Sequence, residues 1–245
     1  MTTSWVLFAY YGLFFWGMNF NIYFVAVLVA TLVLSGIATG WVKSAFAKYS
    51  QVASQARMTG ADCAQAILNR YGIGDVVVER SSGFLSDHYA PTEKRLRLSP
   101  DVYQGTSLAA LGVAAHECGH ALQHAEGYVP LYVRSALVPL ARFGSAFSYI
   151  LIIAGVLLQV IGLAYAGVIA FALTTVFALV TLPVEFNASS RALYVLTTEG
   201  ILRSHEEQEA VRTVLRAAAM TYVAAAITSL LWLLYYAWLV FGRRD

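Results

Sequence analysis

Apolar residues fill this chain in long blocks that polar residues interrupt only twice. No Asp, Glu, Lys, Arg or His occurs in residues 1–42, 143–184 or 217–242. A helix crossing a bilayer needs about 20 mostly apolar residues. The last block therefore holds one span, residues 217–241. The middle block, 143–184, holds two spans joined by a tight turn, and the first, 1–42, holds one span and part of a second. Residues 22–41 read as a retained anchor, with no cleavable signal peptide apparent. Residues 5–18 carry Trp5, Phe8, Tyr10, Tyr11, Phe14, Phe15 and Trp16, a composition that suits a membrane–water interface. Asn19 and Asn21 mark the break between this belt and the anchor.

The two polar segments, 43–142 and 185–216, predict a small α+β domain assembled from both. Residues 43–57 continue the anchor as a helix. Thr59 caps a second helix through Tyr71, which Gly72 ends. The β-branched run Val76–Val78 makes Asp75–Arg80 a strand. Phe84–Tyr89 and Lys94–Leu98 flank a turn at Ala90-Pro91-Thr92, a β-hairpin with Leu96 and Leu98 on one face and Arg95 and Arg97 on the other. Ser107 caps a helix from Leu108 to about Ala125, closed by Gly127. In the second segment Ser204 and Glu207 form a capping box, and the helix they start runs unbroken into the last span. Gln159 falls mid-span by this reading, where it is expected to hydrogen-bond another helix.

Composition agrees with the blocks. The chain is 59% hydrophobic and 12% charged, with mean hydropathy +0.63, whereas a soluble domain carries roughly a quarter charged residues. Too little charge is present to cover a globular surface in water, and a lipid bilayer accepts an apolar exterior. The net charge of +2 argues against a nucleic-acid partner. The two cysteines, Cys63 and Cys118, have no metal or redox spacing, and no structural disulfide is expected. Fourteen of the sixteen Lys and Arg fall in the two polar segments. The positive-inside rule puts those segments on the cytoplasmic side of the cell membrane, with Arg243 and Arg244 a minor conflict.

The chemistry lies in His116-Glu117-Cys118-Gly119-His120. On a helix, residues four apart share a face about 6 Å apart along the axis. Both imidazoles can then reach one zinc ion at about 2.1 Å. Glu117 is rotated off that face by about 100°. It reaches water activated by the metal without binding the metal, and can move a proton from that water to a leaving amine. That chemistry is peptide hydrolysis, with a peptide or protein as substrate. Two His and one Glu in an apolar helix are costly unless bonded or metal-bound.

A catalytic zinc usually has three protein ligands. His124 lies on the same helix, but about 12 Å along the axis from His116, and no Gly after His120 lets the helix break. Position favours Glu185, the first charge after the middle block; the alternative is a solvated acid at a helix end.

The residues also carry a resemblance. The blocks Leu85-Ser-Asp-His-Tyr89, Leu96-Arg-Leu-Ser99, Ala109–Tyr128, Arg134-Ser-Ala-Leu-Val-Pro139, Leu182-Pro-Val-Glu-Phe-Asn-Ala-Ser189 and Arg216–Ala226 are similar to the bacterial membrane zinc metallopeptidases of the YugP-like type. The resemblance implies about four transmembrane helices, a mainly α integral membrane fold, Zn2+ as cofactor, and a peptidase domain facing the cytoplasm. A more distant similarity runs to gluzincin peptidases, which place Glu-x-x-Ala-Asp after a membrane hairpin. It implies Glu185 as the third ligand beside His116 and His120, with Ala188 as the small residue. Ser189 stands where that group has Asp, so another residue is expected to orient the His ring. Cys118 replaces a common aliphatic residue, an exchange expected to be tolerated.

Spacing identifies no oxyanion stabiliser; His88, Tyr89, His124, Arg191 and Tyr194 are the candidates, His124 also as a rim or hydrogen-bonding residue. The Lys94–Leu98 strand is expected to bind substrate by edge pairing. A site beside the bilayer suggests membrane proteins or membrane-proximal peptides as substrates. Two rivals compete with this reading. A site-2-type intramembrane protease needs the His pair inside a span, yet residues 108–125 are a short apolar stretch preceded by Lys94, Arg95, Arg97 and Asp101. A non-catalytic scaffold with structural zinc needs a fourth protein ligand.

Overall fold

The structure, a computed structural model, describes residues 22–83 and 86–242. The aromatic belt expected at 5–18, Phe84, Leu85 and the Arg243–Arg244 pair lie outside the described residues. The chain is mainly helical, in the order α1 Ile22–Ser50, α2 Gly60–Arg70, β1 Val77–Arg80, β2 His88–Ala90, β3 Arg95–Leu98, α3 Pro100–Tyr103, α4 Leu108–Ala125, α5 Val129–Leu157, α6 Ile161–Thr198 and α7 His205–Phe241. Four of these helices, α1, α5, α6 and α7, are long and apolar enough to cross a membrane. The chain forms two compact units. One holds residues up to Gly36, Ala136–Leu179 and from Ala224 onward; the other holds Ile37–Ser135 and Val180–Val223.

The first unit is built from helix whose one charged side chain among the described residues is Arg142. Ile22, Leu32, Ile150, Ile169 and Leu234 are all exposed, an arrangement suited to lipid. Polar side chains tie the helices together where apolar contact gives no net gain over lipid: Trp232 Nε1 donates to Thr31 Oγ1 at 2.9 Å and Thr175 Oγ1 to the Ser229 carbonyl at 3.3 Å. The α5–α6 connection corrects one expectation. Gln159 is not mid-span; it sits exposed in the turn between the helices at φ 57°. The turn closes through its backbone, Gln159 N donating to Val156 O at 3.3 Å and Val160 N to Gly155 O at 2.9 Å. A left-handed residue stops a helix, and a polar amide is tolerated there.

The second unit has one core. Ile67 and Leu68 of α2, Leu96 and Leu98 of β3, Leu108 and Leu111 of α4, Leu196 of α6 and Val211 of α7 pack together. Thr59 caps α2 in a full capping box with Asp62, and Ser107 Oγ accepts from Ala110 N at the start of α4. The strand read at 75–80 is limited to Val77–Arg80, and among the described residues the hairpin's first arm is His88–Ala90. In β3, Leu96 and Leu98 are buried while Arg95 is exposed and Arg97 half-buried, so the period of two holds. The strand order is β1-β3-β2, with β1 parallel and β2 antiparallel to β3. That order overturns substrate pairing on Lys94–Leu98: both edges of β3 are taken, and the edge strands are β1 and β2.

α1 stops at Ser50 rather than near residue 57. The chain beyond it turns extended and pairs with the approach to α4, Ser54 N donating to Thr106 O and Leu108 N to Val52 O, each at 2.9 Å. Glu207 fixes that crossing. Ser204 Oγ accepts from Glu207 N as a cap should. The Glu207 carboxylate, however, accepts from Gln55 N and Arg203 N, both at 2.8 Å. It joins the α1–α2 connection to the start of α7, and it is 5% exposed. Hydrogen bonds to a charged group contribute about 1.5–3 kcal/mol each. Glu207→Ala is therefore expected to destabilise the protein by about 2–3 kcal/mol, read as a lower unfolding temperature in detergent; an unchanged temperature removes Glu207 from this role.

Candidate metal centre

α4 and α6 meet at their smallest side chains. A Cβ placed on Gly119 would lie 2.5 Å from the Ala188 carbonyl oxygen, so only glycine permits the approach. The same approach brings Glu185, one turn before Ala188, against the imidazoles of α4. Glu185 Oε2 lies 3.2 Å from His116 Nε2 and 3.6 Å from His120 Nε2. The two rings stand edge to face, their centroids 4.8 Å apart. Ligand atoms of His116, His120 and Glu185 all fall within 4.8 Å of one another. Tetrahedral ligands at about 2.1 Å from one ion lie about 3.4 Å apart, close to the two distances from Glu185 Oε2 to the imidazole nitrogens.

The outer nitrogens of both rings are already engaged. Ser189 Oγ is 3.1 Å from His116 Nδ1, and Gln123 Oε1 is 3.0 Å from His120 Nδ1. Each ring thus turns its Nε2 to the carboxylate and keeps Nδ1 for a neighbour, the arrangement that orients a metal-binding imidazole. The expectation that some residue other than Ser189 orients the His ring is corrected in part: the Ser189 hydroxyl stands at His116, and Gln123 serves His120. Gln123 is fully buried and its amide donates to Val184 O at 2.8 Å and Asn187 Oδ1 at 2.9 Å. Every polar atom of that amide has a partner, which keeps its burial tolerable.

The field at the centre favours positive charge. The Glu185 side chain is 2% exposed, and the Arg134 guanidinium, 3.8 Å from its Oε1, offsets only part of its negative charge. Burial lowers the His120 pKa, but the hydrogen bond to Glu185 and the negative charges of Glu117 and Glu185 outweigh it and leave the pKa raised. A site that favours a cation, with two imidazole nitrogens and a carboxylate oxygen as donors, fits a divalent zinc ion.

Glu117 is buried, and it lines a cavity of about 90 Å³ together with His120, Glu185, Tyr89, Arg134 and Tyr222. It adds no atom to the three-donor cluster. The other candidate residues divide. His88 and Tyr89, on β2, line the same cavity. The Tyr89 hydroxyl is 2.8 Å from His124 Nδ1, which sets His124 beside the cavity and outside the donor cluster. Burial pushes the Tyr89 phenol up to about 12, so it is a neutral donor at physiological pH. Arg191 turns away from the cluster, pairing with Glu126 at 2.7 Å and donating to Asn187 Oδ1 at 2.7 Å. Tyr194 is 65% exposed and lies outside the cavity lining. Gln123, Asn187, Arg134 and Tyr222 fall in the blocks that carry the resemblance, but spacing assigns them no role. The one signal for Gln123 was an amide three residues after His120, on an otherwise apolar helix. Tyr222 lies inside a charge-free block with nothing local to single it out.

Comparison with known proteins agrees in kind. Residues 23–241 match the family described as "putative neutral zinc metallopeptidase". The chain is also similar to the "putative membrane protease YugP" of Bacillus subtilis (strain 168), with 46% identity over 222 residues, 91% of this chain and 98% of that protein. No solved structure matches the chain.

Partners of metal-binding His residues typically contribute 10–100-fold in affinity. Gln123→Ala is expected to weaken zinc binding by about tenfold or more, and Gly119→Ala to do the same by forcing α4 and α6 apart. Equilibrium dialysis with metal analysis measures both; parental affinity in either variant refutes the role given to that residue.

Proposed function

The chain belongs to the putative neutral zinc metallopeptidase family, and we propose that it hydrolyses peptide bonds with zinc held by His116, His120 and Glu185 and with Glu117 as general base. The observation that carries this reading is the convergence of three ligand atoms within 4.8 Å beside a buried carboxylate that is not one of them. Zinc held there supplies a Lewis acid that polarises the scissile carbonyl and acidifies a water molecule. Glu117 accepts the proton of the attacking water and delivers it to the departing amine. Arg134, Tyr222 and Tyr89, in the same cavity, supply hydrogen-bond donors for the carbonyl oxygen as negative charge develops on it.

Substrate recognition moves from β3 to β2 in this reading. β2 pairs with β3 on one side only, and its His88 and Tyr89 line the cavity. An extended peptide that adds to the open side of β2 gains backbone hydrogen bonds and runs its scissile bond past Glu117. The four membrane-length helices and the similarity to a protein called a membrane protease support a multi-pass cell-membrane location. The positive-inside rule supports a cytoplasmic site, and the membrane-length helices favour membrane proteins or membrane-proximal peptides as substrates.

Both rivals are less well supported. α4, which carries the His pair, is not among the helices long and apolar enough to cross a membrane, against the site-2 type. Three donors, not four, cluster among the described residues, against a closed structural site.

Glu117→Gln is expected to keep full zinc content and to lose about 10²–10⁴-fold in peptide cleavage. Glu185→Ala is expected to lose zinc and activity together. Metal analysis and a casein or peptide assay on the purified protein separate the two. Retained cleavage in Glu117→Gln removes the base assignment, and full zinc occupancy in Glu185→Ala removes the ligand.

A further inference from the structure

A second groove lies in the second unit, between α6 and α7. It has a volume of about 250 Å³ and is lined by Phe186, Ser189 and Leu193 from α6 and by Arg212, Leu215 and Arg216 from α7. Two features distinguish it from an ordinary helix–helix crevice. Arg212 and Arg216 stand one turn apart on one face of α7. Arg212 is paired with Glu209, whereas Arg216 is exposed and makes no ion pair among the described residues. The rest of the lining is apolar or hydroxyl-bearing, with Phe186 46% exposed at its lip.

Charge and hydropathy change in order along both helices. On α7, Arg212 and Arg216 are followed by residues 217–242, Ala219 and Met220 among them, without a charge. On α6, residues 161–184 carry no charge; Glu185, which faces the metal centre, comes next, then Phe186, Ser189 and Ser190, with Arg191 the helix's one cation. The groove therefore sits where two charge-free helical stretches end, and its cations come from α7. Guanidinium groups bind phosphate by paired, planar hydrogen bonds. Basic pockets between helices at that boundary recognise acidic lipid head groups. A free phosphate or a nucleotide gains nothing from Phe186, Leu215 and Ala219; a lipid has acyl chains to lay against them.

We propose that this groove binds an anionic phospholipid, with Arg212 and Arg216 on the phosphate and Phe186, Leu215 and Ala219 against the start of the acyl chains. Ser189 lines the groove and also faces His116, so the lipid site and the metal centre share a wall.

The test uses the full chain in detergent, with lipid binding read by native mass spectrometry, and it involves neither zinc nor hydrolysis. Phosphatidylglycerol is expected to bind about tenfold or more tightly than phosphatidylcholine. The double variant R212Q/R216Q is expected to bring the two lipids level. Ser190→Glu, which sets a carboxylate at an exposed position on the same wall, is expected to do likewise without removing either arginine. Lys48→Gln, outside the groove, should keep the preference. Equal binding of the two lipids by the parent protein overturns the proposal. So does a preference that survives in both groove variants, or one lost equally in Lys48→Gln. Displacement of phosphatidylglycerol by equimolar inorganic phosphate also overturns it, because the site would then be a plain anion site.

Discussion

The candidate centre depends on the contact between Gly119 and the Ala188 backbone. A carboxylate as buried as Glu185 survives only among positive partners and hydrogen bonds, since taking its charge out of water costs several kcal/mol. Those partners lie on other elements: His116 and His120 on α4, Arg134 on α5. Side chains of ordinary length bridge α4 and α6 only if the two backbones nearly touch, and with a Cβ at position 119 they would be held apart. The small residue inside the His-Glu-x-x-His run is thus part of how the third donor arrives.

The polar atoms behind His120 form one connected chain. His120 leads to Gln123, Gln123 to Asn187, Asn187 to Arg191, and Arg191 to Glu126. A buried amide with all its atoms paired is stiff, because any rotation leaves a donor or acceptor unmatched. His120 is accordingly fixed by α6 as much as by its own helix. His116 is held differently, by a single neutral hydroxyl. A carboxylate there would raise the basicity of the ring. Ser189 orients it with less electron donation, which would leave a cation held there the stronger Lewis acid.

Much of the architecture was legible because its signals are local. The charge-free blocks, the Thr59 and Ser107 caps, the alternation in Arg95–Leu98 and the spacing of His116 and His120 all depend on neighbours within a turn or a strand. The misreadings involve partners distant in sequence. α1 ends early because Val52 and Ser54 find hydrogen bonds at Leu108 and Thr106, and nothing in residues 51–57 announces that. The place of β3 at the centre of the sheet is a property of three strands, invisible in any one. Gln159 looked like a span residue because two helices and their turn share one uncharged run, and hydropathy does not register a left-handed residue between them. Gln123 and Tyr222 could not be told from ordinary core or span positions, since their role comes from what faces them across the fold.

α6 shows why the block pattern still led to the centre. Its 38 residues extend about 57 Å, whereas the hydrocarbon of a bilayer is about 30 Å thick. Roughly half of such a helix must find surroundings other than lipid, and the charged residues of α6, Glu185 and Arg191, fall in its C-terminal half. A rigid helix also fixes direction as well as distance. Displacing the carboxylate by one residue would turn it about 100°, away from the two Nε2 atoms and off the line of Ala188 and Ser189. The first charge after the long apolar run is therefore bound to one position by two requirements: it must come late enough in the helix to leave the charge-free stretch, and it must point at α4.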